Sequence, residues 1–234
     1  MSYVLHITNK NYSSWSLRPW VLMRALGIGF DEVLHPYREA GAQDFRKSSP
    51  AGKVPWLVDG ETVVWDTLAI VEYLAERHPG VWPADPAARA WARCACAEMH
   101  SGFAALRSRH GMNIGVRLVV TQRPPDVAND IGRIVELWNQ GLERFGGPWL
   151  AGAAFTAADA FFAPVAYRFR TYDVKVPGGA GDYLARLLAH PALLAWETDA
   201  LAENFREPNY DAGLAAVGTV TVDFRAVPSA PTST

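Results

Sequence analysis

The sequence is poor in cysteine, in net charge and in long apolar runs, and each shortage removes a class of function. With 22 basic against 24 acidic residues, the 234-residue chain has a formal net charge of −2. No block of like charge stands out, so nothing favours nucleic acid or another polyelectrolyte as a partner. No apolar stretch approaches the roughly 20 residues that cross a bilayer, and the N-terminus lacks the basic-then-apolar order of a secretion signal. The expectation is a cytoplasmic protein without membrane association. The 2 cysteines, Cys94 and Cys96, lie in a segment that reads as helix, where successive side chains turn by about 100°. They therefore point to nearly opposite sides and cannot form a CxxC-type redox pair. Too few other ligands accompany them for zinc, and no metal is expected; both read as small buried hydrophobes.

What is abundant is apolar surface, 50% of residues, enough for one large or two modest domains. The first eighty residues alternate strand and helix. Tyr3 to Ile7 reads as a strand, Leu17 to Leu26 as a helix and Phe30 to His35 as a second strand, followed by a polar stretch from Arg38 to Lys53. Val54 to Val58, the turn Asp59-Gly60 and Glu61 to Trp65 form a hairpin signature. Asp66-Thr67 then opens a helix with Leu68, Val71 and Leu74 on its apolar face. The pattern is β-α-β-α-β-β-α with a mixed four-stranded sheet. Three prolines and a glycine between Arg77 and Pro86 mark a linker. Beyond it the chain reads as helical almost throughout, with stripes at Trp91, Ala95, Met99, Phe103 and Leu106 and at Val127, Ile131, Ile134, Trp138, Leu142 and Phe145. Thr156 and Asp159 have the spacing of a reciprocal helix cap, and Pro164 falls inside the helix that they open. Segments 181–189 and 191–205 complete the bundle. From Gly218 onward the composition predicts an extended or mobile tail. Residues 1–80, 87–217 and 218–234 are thus read as an α/β domain, an all-helical domain and a tail.

Three short motifs could carry chemistry. Ser13, Ser14 and Ser16 sit where the first strand hands over to a helix, among the unpaired N–H groups of its first turn. That position stabilises an anion, and hydroxyls add donors that can turn toward it. Val54-Pro55 opens a strand, which suits a strand start, an edge or a cis bond that would present the Val54 backbone to an extended ligand. Asp66-Thr67 is a helix cap that could also hold a ligand carboxylate on its hydroxyl and N–H while Asp66 attracts an ammonium. Singly, the second and third read as ordinary structural features.

Together, at one edge of a small α/β sheet followed by an all-helical domain, they resemble the glutathione transferase superfamily over residues 3 to 205. The implied fold is a thioredoxin-like N-terminal domain with a mixed four-stranded sheet, then a helical-bundle C-terminal domain. Ser13 to Arg18 is similar to the Ser-Ser-Cys-Ser-x-Arg signature of zeta-class enzymes, with Trp15 in place of the cysteine. Pro19-Trp20 looks like a serine-dependent bacterial subgroup. Trp149 to Gly152 with Phe155 to Asp159 resembles the helix-capping motif of the second domain.

The resemblance implies a glutathione transferase acting on a small hydrophobic electrophile. It places glutathione, as co-substrate, against Lys53, Val54, Pro55, Asp66 and Thr67, with its sulfur near Ser13 and Ser14. Ser14 is the first choice for holding the thiolate; the zeta-like alignment points to Ser13, and Tyr12 is a third candidate. A thiol of pKa near 8.5 is about 3% ionised at pH 7, and reaching roughly 6.5 takes about 2.7 kcal/mol. One hydrogen bond to a charged group supplies about 1.5–3 kcal/mol and a helix N-terminus about 0.3–1, so neither a general base nor a metal is required. Tyr12, Trp15, Met99, Phe103 and Tyr167 are the candidate lining of the electrophile pocket, whereas His100 and His110 are expected to face solvent. A maleylacetoacetate-type isomerase, whose substrate-holding arginine would fall at Thr171 beside Arg170, and a non-catalytic binding module are the alternatives. A homodimer is implied by the resemblance alone.

Overall fold

Alternation decides the first strand. Leu5 and Ile7 are fully buried while Val4 and His6 are only partly so, the period of a pleated strand with one face in a core. The computed structural model describes residues 3–37, 45 and 48–225. In its N-terminal part β1 (Tyr3–Ile7), α1 (Ser14–Ala25), β2 (Phe30–Leu34), β3 (Trp56–Asp59), β4 (Thr62–Trp65) and α2 (Thr67–Ala75) follow in order. The four strands form one sheet in the order β2-β1-β3-β4, with β1 parallel to β2 and antiparallel to β3, and β3 antiparallel to β4. This is a thioredoxin-like domain with a mixed sheet. The hairpin turns at Gly60, whose φ of 59° is the left-handed value that glycine adopts without cost. The second helix of the expected pattern, between Arg38 and Lys53, falls largely outside the described residues.

The second part is helical: α3 (Pro86–Ser101), α4 (Ala104–Arg109), then a short strand β5 (Val116–Val119), α5 (Pro125–Phe145), α6 (Ala157–Thr171), α7 (Gly178–Leu188), α8 (Pro191–Ala202) and α9 (Pro208–Ala215), closed by β6 (Thr219–Asp223). Thr156 and Asp159 form the reciprocal cap that their spacing predicts. Every residue of α6 except Arg170 is buried, because α1, α3 and α7 pack around it. Leu17, Val21, Leu22 and Met23 of α1 belong to the same core as α6, so the two domains share one apolar interior rather than meeting across a wet seam.

Three expectations are corrected. The stripe from Trp91 to Leu106 is not one helix: it breaks at Gly102, and Phe103 takes a left-handed φ of 55°. The segment after Gly218, expected as a separate extended or mobile tail, is extended but docked, since β6 pairs antiparallel with β5, about a hundred residues earlier, and the Phe224 N–H donates to the Gly115 carbonyl at 2.8 Å. Residues 226–234 of that tail lie outside the described residues. Of the two cysteines only Cys96 is buried; Cys94 is exposed.

Candidate active site

The loop between β1 and α1 is fixed by polar bonds to the helical domain. The Lys10 N–H donates to Glu203 Oε1 at 2.6 Å and its ammonium to Asp199 at 2.6 Å. Asn11 Nδ2 donates to Asn113 Oδ1 at 2.8 Å, and Asn11 Oδ1 accepts from the Gly115 N–H at 2.9 Å. The Tyr12 hydroxyl accepts from the Glu207 N–H at 3.2 Å and from Arg225 Nη1 at 3.1 Å. Burial raises the Tyr12 pKa above its ordinary value. Such cross-domain bonds set the loop backbone before any ligand arrives.

The two leading serines differ in what their hydroxyls already do. Ser13 caps α1: its Oγ accepts from the Ser16 N–H at 3.3 Å and donates to Ser16 Oγ at 2.8 Å. A hydroxyl has one proton to give, so that of Ser13 is spent inside the protein. Ser14 is the first residue of α1, half-buried, and its hydroxyl has no partner among the described residues. It sits at the positive end of the helix with a free donor.

Two adjoining cavities open beside it. The first, about 500 Å³, is lined by Tyr12, Ser13, Ser14, Trp15, Tyr37, Gly52, Lys53, Val54, Ala104, Arg107, Ser108, Arg168 and Tyr210. The second, about 560 Å³, is lined by Trp15, Ala51, Lys53, Val54, Pro55, Trp65, Asp66, Thr67, His100 and Arg107. Trp15, Lys53, Val54 and Arg107 belong to both, so the two form one cleft between the domains. The Val54-Pro55 bond is cis. Asp66 caps α2 by accepting from the Leu68 N–H at 2.9 Å, with a φ of 72°, a strained value for an aspartate that concentrates at ligand-holding turns. Thr67 beside it is buried.

The structure thus brings Ser13, Ser14, Lys53, Val54, Pro55, Asp66, Thr67, Tyr12 and Trp15 to one cleft. It does not bring Met99, Phe103 and Tyr167 there. Met99 and Tyr167 are fully buried, Phe103 is 6% exposed, and none of the three lines either cavity. The apolar faces of α3 and α6 pack against each other, and the Tyr167 hydroxyl is spent on the Leu193 carbonyl at 2.6 Å.

Other polar and charged side chains stand at the cleft or buried near it. His100, expected in solvent, stands in the cleft with Nε2 3.4 Å from Asp66 Oδ2 and Nδ1 3.5 Å from Thr67 Oγ1. His110 is buried with neither ring nitrogen bonded, and burial pushes its pKa down to about 4. Two guanidinium groups contact the Trp15 ring, Arg18 at 4.1 Å and Arg107 at 4.7 Å from its centroid. Arg18 is 1% exposed, with Nε and Nη1 unbonded, and stacks on Phe161 on its other side. Burial, with repulsion from Arg107 and Arg168, pushes its pKa down to about 9. Charged residues at helical spacing read as a solvated face in a sequence. Their one legible signal here is the absence of an acidic residue between Cys96 and Asp126 other than Glu98.

Comparison with known proteins agrees with this geometry. The N-terminal glutathione S-transferase domain family matches residues 8–82, and the C-terminal glutathione S-transferase domain family matches residues 121–198. A zeta-class glutathione S-transferase of Euphorbia esula is 30% identical over 159 residues, 65% of this chain and 70% of that protein. A probable maleylacetoacetate isomerase of Caenorhabditis elegans is 26% identical over 205 residues, 80% of this chain and 92% of that protein. A glutathione transferase homologue from Burkholderia, solved with bound glutathione, superposes with a TM-score of 0.66 at 20% identity, over 86% of this chain and 98% of that one. With both domain families matched in order, and a serine-led helix start at the cleft between them, the chain belongs to the glutathione S-transferase family.

Proposed function

We propose that this chain is a glutathione-dependent transferase in which Ser14 holds the thiolate. The observation that carries the reading is the division of labour between the two serines: Ser13 gives its proton to Ser16 Oγ at 2.8 Å, while Ser14 keeps a free donor in the cleft. Glutathione lies in the second cavity, its γ-glutamyl end at Asp66 and Thr67, its cysteinyl backbone against Val54 and its glycine carboxylate toward Lys53. Its sulfur enters the first cavity at Ser14. The Ser14 hydroxyl and the N-terminus of α1 favour the ionised sulfur, whose proton has already gone to water; as the sulfur–carbon bond forms, the electrophile's leaving group departs with the electron pair of its bond to that carbon.

Titrating the ultraviolet absorbance of bound glutathione against pH tests this. Ser14→Ala should raise the bound thiol pKa by about 1–2 units, the worth of a hydrogen bond to a charged group. Ser13→Ala should chiefly lower stability, by about 1 kcal/mol for a lost cap. A Ser14→Ala variant with the thiol pKa of the parent overturns the assignment.

The second reading, an isomerase of the maleylacetoacetate type, is supported by the resemblance to the C. elegans protein. Against it, Thr171 is buried on the Asn113 carbonyl at 2.8 Å, and Arg170 forms a paired contact with Glu197 at 3.0 and 2.6 Å. Neither is free to hold an acidic substrate. A non-catalytic binding module is disfavoured because Ser14 opens on a cavity of about 500 Å³ rather than being occluded. Cytoplasmic location and a homodimeric state remain part of this proposal; sedimentation at micromolar concentration as a monomer would overturn the latter.

A further inference from the structure

The first cavity does not have the wall of a pocket for neutral apolar molecules. Arg107 and Arg168 line it, Lys53 stands at its junction with the second cavity, and none of the described residues that line it is an aspartate or a glutamate. Arg168 is 5% exposed. Its Nε donates to the His110 carbonyl at 2.9 Å and its Nη1 to the Pro164 carbonyl at 3.3 Å, while Nη2 has no acceptor among the described residues. Arg107 spends Nη1 on the His100 and Gly102 carbonyls at 3.0 and 3.3 Å, and its Nε and Nη2 are likewise without acceptors there. The acids nearby are committed elsewhere. Glu98 pairs with Arg133 at 2.7 and 3.0 Å, Asp130 accepts from the Leu106 N–H at 2.9 Å, and Asp211 pairs with Arg225 at 2.6 Å. A nine-tenths-buried cation without a counter-charge among the described residues is costly to hold, and the backbone carbonyls leave Arg168 Nη2 and the Nε and Nη2 donors of Arg107 for a ligand.

We propose that this cavity selects an electrophile bearing a carboxylate, held by the free Nε and Nη2 donors of Arg107 and by Nη2 of Arg168 while its reacting carbon faces the thiolate at Ser14. The inference rests on the transferase reading and narrows its co-substrate from a hydrophobic molecule to an organic anion. Guanidinium groups suit a carboxylate because their donors are planar and parallel. Tyr37 and Tyr210 add aromatic rings to the same lining.

The test separates binding from turnover. With S-methylglutathione present, the dissociation constants of 3,5-dinitrobenzoate and of its neutral counterpart 3,5-dinitrobenzamide are measured by quenching of tryptophan fluorescence. The carboxylate should bind at least tenfold more tightly. That ratio should fall toward one in Arg107→Gln and recover at least in part in Arg107→Lys, which keeps the charge. Equal affinities in the parent overturn the inference. So does an Arg107→Gln variant that weakens S-methylglutathione and both dinitrobenzoyl compounds by one common factor, because Arg107 then serves glutathione. In parallel, 4-chloro-3,5-dinitrobenzoate and glutathione are assayed for conjugation. A carboxylate preference in binding without conjugation of any electrophile sinks the transferase reading and leaves the anion site standing.

Discussion

Replacing Arg18 by methionine should make the protein more stable and its thiolate weaker. Burial and two neighbouring guanidinium groups push the Arg18 pKa well below an arginine's ordinary value, down to about 9. At about 1.36 kcal/mol per unit, keeping the charge in the folded state costs on the order of 5 kcal/mol. Stacking on Trp15 at 4.1 Å and on Phe161 at 4.8 Å returns about 0.5–2 kcal/mol each. The balance, about 1–4 kcal/mol, is what a methionine of similar length should recover, measured as a higher urea midpoint at unchanged slope. Arg18 lies one helical turn after Ser14, about 6 Å along the axis. A thiolate roughly 8 Å from the guanidinium, at an effective dielectric constant near 20, gains about 2 kcal/mol from it. Bound glutathione in Arg18→Met should therefore titrate about 1–1.5 units higher. A variant that is less stable than the parent, with an unchanged thiol pKa, would refute the picture of an unpaired cation kept for its field.

Three further outcomes follow from the same geometry. His110 is a base whose folded pKa, about 4, lies below its ordinary 6.5, so it opposes folding once the unfolded state takes up a proton. Its cost is absent above about pH 6.5 and grows as the pH falls toward 4, reaching about 2 kcal/mol at pH 5. His110→Phe, which keeps the stack on Tyr172 at 4.3 Å, should lose that much less stability than the parent between pH 7 and pH 5 in urea titrations; an identical acid dependence would count against a buried neutral imidazole. Asp159 accepts from the Leu150 N–H at 3.1 Å, the Thr156 N–H at 2.9 Å, Thr156 Oγ1 at 3.3 Å and the Tyr183 hydroxyl at 3.2 Å. Asp159→Ala strands those buried donors and should cost about 3–5 kcal/mol, read by thermal or urea unfolding, with a cost under 1 kcal/mol showing that water replaces the carboxylate. Arg225→Ala removes one of the two donors on the Tyr12 hydroxyl; conjugation should persist, and a complete loss would move thiolate stabilisation from Ser14 to Tyr12.

The parts of this molecule that could be read from the sequence are those whose cause is local. The serines before Leu17, the Asp59-Gly60 turn, the Asp66-Thr67 cap and the Thr156–Asp159 box each lie within a few residues of what they determine. The α5 stripe from Val127 to Phe145 is equally self-contained, since its buried positions recur within one helix. What escaped was set at long range. Met99, Phe103 and Tyr167 have the apolar character of a pocket wall and of a core alike, and only the packing of α3 on α6 separates the two. Arg107 and Arg168 look like solvated charges until two helices are placed around the cleft. The pairing of β5 with β6 depends on a contact across roughly a hundred residues, joining two short runs that alone carry no decisive period.

That last pairing bears on the order in which the molecule can be completed. The serine loop lies within residues 8–15, yet the groups that hold it are Asn113, Gly115, Asp199, Glu203, Glu207 and Arg225. A ribosome delivers Ser14 early and its supports last. The sheet around β1 can form from residues 3–65, but the loop next to it acquires the last of its anchors only when residues 203–225 return to it. A polypeptide stopped short of Glu203 would contain both serines and a start for α1, and would lack three of the six anchors that hold the preceding residues in place.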